Sequence, residues 1–413
     1  MPHPMPIDPK LGINAKIAEL GALRDGRGKA SEAAPPGQDD GQSGASDTAP
    51  PGRDDGRGGA SEGASPITDN PKRRDLSLLP KAHLHLHFTG SLDVPTLVRL
   101  AEAGGQRLPQ ELTDAQAFSA PATTKGWFRF QRLYDIARHV VNGEAAMRAV
   151  VANAAALDAA DGARRLEIQI DPTSYAPAVG GIINALDIVL DEAVAASERT
   201  GVQVGVIVAA SRLRHPIEAR TLARLAARHA GTGPGSVVGF GLSNDEWAGD
   251  TPAWEGAFRI AHNAGLPGVP HGGELRGPDH VRTVVASLHP TRLGHGIRAT
   301  EDARLVDELI RQGIAFEVCP SSNAQLGVYP DVASVPVRQL IDAGATVALG
   351  ADDPLLFLAR LNDQYVIARD VLGLSDAELA ALAGASINAS FAADEDKTRW
   401  QAEISAWLAS EPT

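Results

Sequence analysis

The sequence predicts a (β/α)₈ TIM-type barrel preceded by a disordered N-terminal extension. Three observations predict it. From Leu76 onward, short apolar runs alternate with longer amphipathic stretches, as in a parallel sheet covered by helices. Eight of those runs each end in a polar loop, which matches the strand number of such a barrel. No glycine-rich phosphate turn follows the first run, and the segment FGLSND is not one either, which argues against an open doubly wound sheet.

The first strand is KAHLHLHFTG, residues 81–90. Its histidines fall on alternate positions, His83, His85 and His87, so all three share one face. The other strands are read in ARRLEIQIDP (163–172), VQVGVIVAAS (202–211), SVVGFGLS (236–243), GLPGVPHGGE (265–274), TRLGHG (291–296), IAFEVCPSSN (314–323) and TVALGADDP (346–354). Between them lie helical patterns such as LARLAARHA (222–230) and LVDELIRQG (305–313). Aromatics make up only 4% of the chain, so aliphatic packing must form most of the core.

Residues 1–75 are of a different kind. DGRGKASEAA, DGQSGASDTA and DGRGGASEGA begin at Asp25, Asp40 and Asp55, a unit repeated every 15 residues. The segment is rich in Gly, Pro, Ser and Asp and nearly free of large apolar residues. It cannot bury enough surface to offset its chain entropy, and the expectation is a disordered tail. GINAKIAELGAL, 12–23, could form a brief helix. Residues 76–413 are expected to be the barrel domain.

The formal net charge of −13 disfavours nucleic acid and anionic membrane surfaces as partners. No apolar run approaches the roughly 18 residues of a membrane span. The N-terminus lacks the pattern of a secretory signal. Cys319 is the only cysteine, so no intrachain disulfide can form. The expectation is a cytoplasmic protein. The sequence assigns no oligomeric state.

Chemistry in a barrel sits at the C-terminal strand ends. Residues two apart in a strand are separated by about 6.6 Å and residues four apart by about 13 Å. Two imidazoles two apart can therefore converge on one ion, with nitrogens at roughly 2.1 Å, while three in a row cannot easily do so. The pair nearer the strand end is His85 and His87. His83 is expected deeper, as a hydrogen-bonded core residue. Other strand ends add His271 and Glu274 in HGGE, His295 in LGHG, and Asp352 and Asp353 in ADDP. Each alone is an ordinary turn or loop. Together they place three imidazoles and a carboxylate on one rim, with acid and base groups to spare. Ligands of this kind suit Zn²⁺, with Fe²⁺ or Co²⁺ conceivable.

The motifs KAHLHLHFTGS, SNDE, HGGE, LGHG, CPSSN and ADDP resemble, in order and spacing, those of the adenosine deaminase family of metal-dependent amidohydrolases. The resemblance spans about Leu79 to Ala393. It implies a barrel with one catalytic zinc per chain and hydrolytic loss of the 6-amino group of a purine. His85, His87, His271 and Asp352 match the family's zinc ligands. Glu274 matches the glutamate that protonates N1, and His295 the histidine that orients and helps deprotonate the attacking water. Asp353 matches the aspartate that bonds N7, and it could also cap the helix begun by Pro354. SNDE matches a family loop that touches N3 through a backbone N–H, and the family's usual glycine there is Asn244 in this chain.

Thr89 is a further departure. Adenosine enzymes carry an aspartate at its position for the ribose 5′-hydroxyl, and relatives acting on free adenine carry a glutamate. A threonine can still hydrogen-bond, with shorter reach and no charge. In GWFRFQRLYDIA, 126–137, Trp127, Phe130 and Tyr134 are candidates for an aromatic lid over the purine. The expected partner is a small purine nucleoside, with adenosine and deoxyadenosine deaminated to their inosine counterparts. Alternatives are free adenine, 6-aminodeoxyfutalosine, or a catalytically inactive nucleoside-binding relative. A two-metal hydrolase bridged by a carbamylated lysine is disfavoured, because no lysine lies between Lys125 and Lys397.

Overall fold

The computed structural model describes residues 73–114 and 116–412. The repeat-containing tail and the brief helix read at 12–23 lie outside the described residues. Eight strands run parallel in sequence order: β1 (Lys81–His87), β2 (Ala163–Ile170), β3 (Gln203–Ser211), β4 (Val237–Ser243), β5 (Gly268–Gly272), β6 (Arg292–His295), β7 (Ala315–Val318) and β8 (Val347–Leu349). All eight strands expected from the sequence are present. The ring closes just beyond β8, where Asp352 bridges Leu86. There the His87 N–H donates to the Asp352 carbonyl at 3.0 Å, and the Asp352 N–H donates to the His85 carbonyl at 3.1 Å.

Helices cover the outside, so the strands are buried on both faces. This is why most of them read as apolar runs rather than as alternations. In β1 the alternation survives because its two faces differ. Ala82, Leu84 and Leu86 join the aliphatic core, while Lys81, His83 and His85 are buried polar groups. The Thr124–Val140 helix begins at Thr123, whose side chain caps Gly126 N–H. Its buried residues Phe130, Leu133, Ala137 and Val140 follow helical spacing. Among the described residues, no helix is long and apolar enough to cross a membrane.

The barrel interior is ionic. Arg292 bonds Glu167 at 2.7 Å and Glu317 at 2.6 Å, and Arg165 bonds Glu167 at 3.0 Å, all four being buried. Charges of alternating sign satisfy one another there, as burial requires.

Candidate active site

The site lies at the C-terminal ends of the strands. His87, His271, Glu274, His295, Asp352 and Asp353 line one cavity of about 360 Å³. That volume is within the roughly 300–1,000 Å³ usual for small-molecule pockets. Nε2 of His87 is 3.2 Å from Nε2 of His271 and 3.1 Å from Oδ1 of Asp352. Nε2 of His85 is 3.5 Å from the same carboxylate oxygen.

The second nitrogens fix the tautomers. Nδ1 of His85 faces Glu317 at 2.8 Å, and Nδ1 of His271 faces the Leu242 carbonyl at 3.1 Å. Both partners are acceptors, so in each neutral ring Nδ1 carries the proton and Nε2 bears a lone pair. Those lone pairs meet at a carboxylate oxygen, and the buried Nε2 of His85 has no hydrogen-bond partner. Lone pairs converging without donors suit a cation. His83 differs. Its Nδ1 faces Asp158 at 2.8 Å and its Nε2 accepts Ala351 N–H at 3.1 Å, so both nitrogens are used.

Close approaches explain two glycines of the motifs. A Cβ at Gly294 would lie 3.0 Å from both the His271 and His85 rings. A Cβ at Gly90 would lie 1.7 Å from Oδ1 of Asp353. Asn244, His295 and Asp352 are three of the five non-glycine residues described with positive φ. Such strained backbone concentrates at functional sites. At 79°, the φ of Asn244 shows why a glycine suits this position, and asparagine is among the few residues that tolerate it.

Burial raises the Glu274 carboxyl well above the usual range, helped by the Asp352 and Glu246 charges. Burial and then the Asp352 charge do the same to Asp353. Burial pushes His295 down to about 3. Asp352 goes the other way: burial would raise it, but the imidazoles of His85, His87 and His295 beside it hold it well below the usual range. Asp353 is the residue before the Pro354–Phe357 helix, yet its side chain makes no capping bond. Its Oδ1 is buried and without a partner.

Asn244, Trp127, Phe130 and Tyr134 also line the cavity. Phe130 stacks on Phe357, with centroids 5.6 Å apart, and abuts Trp127. Thr89 does not line the cavity. It is fully buried, and its hydroxyl pairs at 2.7 Å with that of Tyr175, which does line it.

Sequence reasoning missed several supports. Ser322 donates to Oδ2 of Asp352 at 2.5 Å. Glu246 accepts the backbone N–H groups of Glu274, Leu275 and Arg276 at 3.0, 2.9 and 2.7 Å, and so holds the loop that carries Glu274. Glu317 stands in the strand run IAFEVCPSSN, Ser322 in the motif CPSSN, and Glu246 ends SNDE. The available signal was a charged or hydroxyl residue set among apolar ones.

The groups divide the rim. Acids and imidazoles occupy the ends of β5, β6, β8 and β1. The opposite arc, at and just past the ends of β2 and β3, carries Gln169, Asp171, Ser174, Tyr175, Ser211 and Arg214. A parallel barrel with clustered imidazoles and carboxylates at its C-terminal rim defines a metal-dependent hydrolase of the amidohydrolase kind, acting on C–N bonds. The chain belongs to the adenosine deaminase family, whose sequence profile matches residues 80–407.

A provisionally named adenosine/adenine deaminase of Streptomyces virginiae is 52% identical over 336 residues, covering 81% of this chain and 98% of that protein. An adenine deaminase of Ralstonia nicotianae is 33% identical, over 78% of this chain and 92% of its own. The crystal structure of an adenine deaminase from Arthrobacter aurescens superimposes with a TM-score of 0.73 at 28% identity, over 80% of this chain and all of that one.

Proposed function

We propose that the chain is a zinc-dependent deaminase, with one zinc per chain, that converts adenosine and deoxyadenosine to the inosine counterparts and ammonia. His85, His87, His271 and Asp352 would hold the zinc. A zinc ion bound there would supply the Lewis acidity that makes water nucleophilic at neutral pH.

The chain's own groups do the rest. Glu274, held protonated by its surroundings, delivers a proton to N1 and so weakens the ring's resistance to attack at C6. His295, held neutral, accepts a proton from the attacking water. Asp353 is also held protonated, and so donates to N7, which can only accept. The backbone N–H of Asn244 serves N3, and Trp127 and Phe130 cover the ring. Thr89 acts on the substrate through Tyr175 in this arrangement, since its hydroxyl is already committed to that partner.

The observation that carries the nucleoside reading is the polar arc after β2 and β3, which gives the cavity hydrogen-bonding groups beyond those a purine ring needs. A second reading, free adenine, is favoured by the adenine deaminases of Ralstonia nicotianae and Arthrobacter aurescens. Ammonia release from adenosine, deoxyadenosine, adenine and 6-aminodeoxyfutalosine, assayed side by side on zinc-loaded protein, tests the choice. Adenosine turnover with kcat/KM of about 10⁵ M⁻¹s⁻¹ or better supports the reading. Turnover of adenine alone replaces it with the second.

A further inference from the structure

We propose that Gln169 is a specificity-determining residue whose side-chain amide binds hydroxyls of the sugar attached to N9 of the substrate. This rests on the adenosine reading and deepens it.

Gln169 stands near the end of β2, in register with His87 across the β1–β2 ladder. It lines the cavity and is 2% exposed. Neither its amide oxygen nor its amide nitrogen has a hydrogen-bond partner. Among the described cavity-lining residues, only Gln169 and Asp353 carry fully buried polar side-chain atoms without a partner. Buried polar groups are nearly always paired, so an unpaired one beside a cavity points to an absent ligand. Asp353 already has a task at N7. Gln169 has none.

Position and chemistry narrow the ligand. The groups assigned to N1, N7 and the attacking water sit after β5, β6 and β8. Gln169 sits on the opposite arc, towards which a substituent at N9 would extend. Its polar neighbours there are largely engaged. Asp171 accepts from both the backbone N–H and the hydroxyl of Thr173. Ser211 accepts Leu213 N–H. Arg214 faces Asp171 at 3.5 Å. A primary amide offers a donor and an acceptor side by side. A sugar diol offers the matching pair, because each hydroxyl both donates and accepts. Free adenine has no group at N9 to fill this place.

The test compares kcat/KM for adenosine and adenine on the metal-loaded full chain, in wild type and Gln169→Met. Methionine keeps the length and removes both hydrogen-bonding groups. The expected result is about a ten-fold fall in the adenosine-to-adenine ratio, carried mainly by KM. Gln169→Asn, which keeps the amide but draws it back, should recover part of that ratio, and it serves as the test variant if Gln169→Met does not fold. An unchanged ratio with adenosine still turned over overturns the assignment and leaves the adenosine reading standing. Wild type turning over adenine alone overturns both. If wild type turns over neither, calorimetric titration with inosine and hypoxanthine decides without turnover. Weaker inosine binding alone in Gln169→Met supports the assignment, and equal changes for both ligands overturn it.

Discussion

Glu167 and Glu274 are both fully buried glutamates of one barrel, yet their surroundings push them in opposite directions. Burial would raise both. In the interior, the Arg292 and Arg165 charges outweigh it and hold Glu167 below the usual range. At the rim the nearby charges are the carboxylates Asp352 and Glu246, which add to burial and lift Glu274 well above it. The interior is a finished ionic lattice, in which each charge meets its opposite. The rim sets like against like, acid beside acid and lone pair beside lone pair. A fold tolerates such an arrangement where an external group completes it. The difference separates charges that hold the barrel together from charges that await a ligand.

The comparison can be broken at several points. Asp352→Ala has the largest expected effect: metal content by elemental analysis falls to background and activity is lost with it. Unchanged zinc content would contradict the ligand set. Glu274→Gln should retain metal yet lose about a thousand-fold in kcat, because it cannot give up a proton. The wild-type pH profile should agree. The proton donor is present below the raised pKa, so kcat/KM falls as pH rises through it. The same shift works against stability: between the ordinary value of 4.5 and the raised one the folded state binds more protons, so stability falls with rising pH. Glu274→Gln should therefore unfold at higher denaturant than wild type at neutral pH.

Arg292→Met moves the test to the interior. It strips Glu167 and Glu317 of the cation between them, leaving Glu167 only Arg165 and Glu317 only His85, and should cost about 3–5 kcal/mol in denaturant unfolding. A smaller effect is expected at Glu246→Gln. An amide has one acceptor oxygen for three N–H donors, so kcat should fall about ten-fold. With the neighbouring charge gone, the alkaline limb of the kcat/KM profile should also move to lower pH, which loss of shape alone would not do. Removing residues 1–72 should be the mildest change, leaving kcat/KM within about two-fold in a steady-state assay. A larger drop would give that segment a part in the site.

Much of the fold was legible because parallel strands buried on both faces leave dense apolar runs, and each run here ends in a polar loop. The rim was legible for the same reason: His85, His87, His271, Glu274, His295, Asp352 and Asp353 all stand at or just past strand ends. The supports were not, because they join distant parts of the chain. His85 meets Glu317 across 232 positions, and Arg292 meets Glu167 across 125. No local pattern encodes those pairings. Thr89 shows the limit from the other side. Its place in the motif suggested contact with substrate, but it stands off the cavity wall and its hydroxyl pairs with that of Tyr175, a residue of a later loop. Asn244 stands out in the sequence only as a departure from the family's glycine, while its positive φ explains which residue types can stand there.

The clasp between Asp352 and β1 has a consequence for how the protein is made. His85 and His87 leave the ribosome early, while their proposed fellow ligand arrives with the last strand, through backbone bonds that also shut the ring. A nascent chain thus holds only part of the proposed ligand set until synthesis is nearly over. A metal held by this proposed set would be loaded late and would act as a lock on completed molecules.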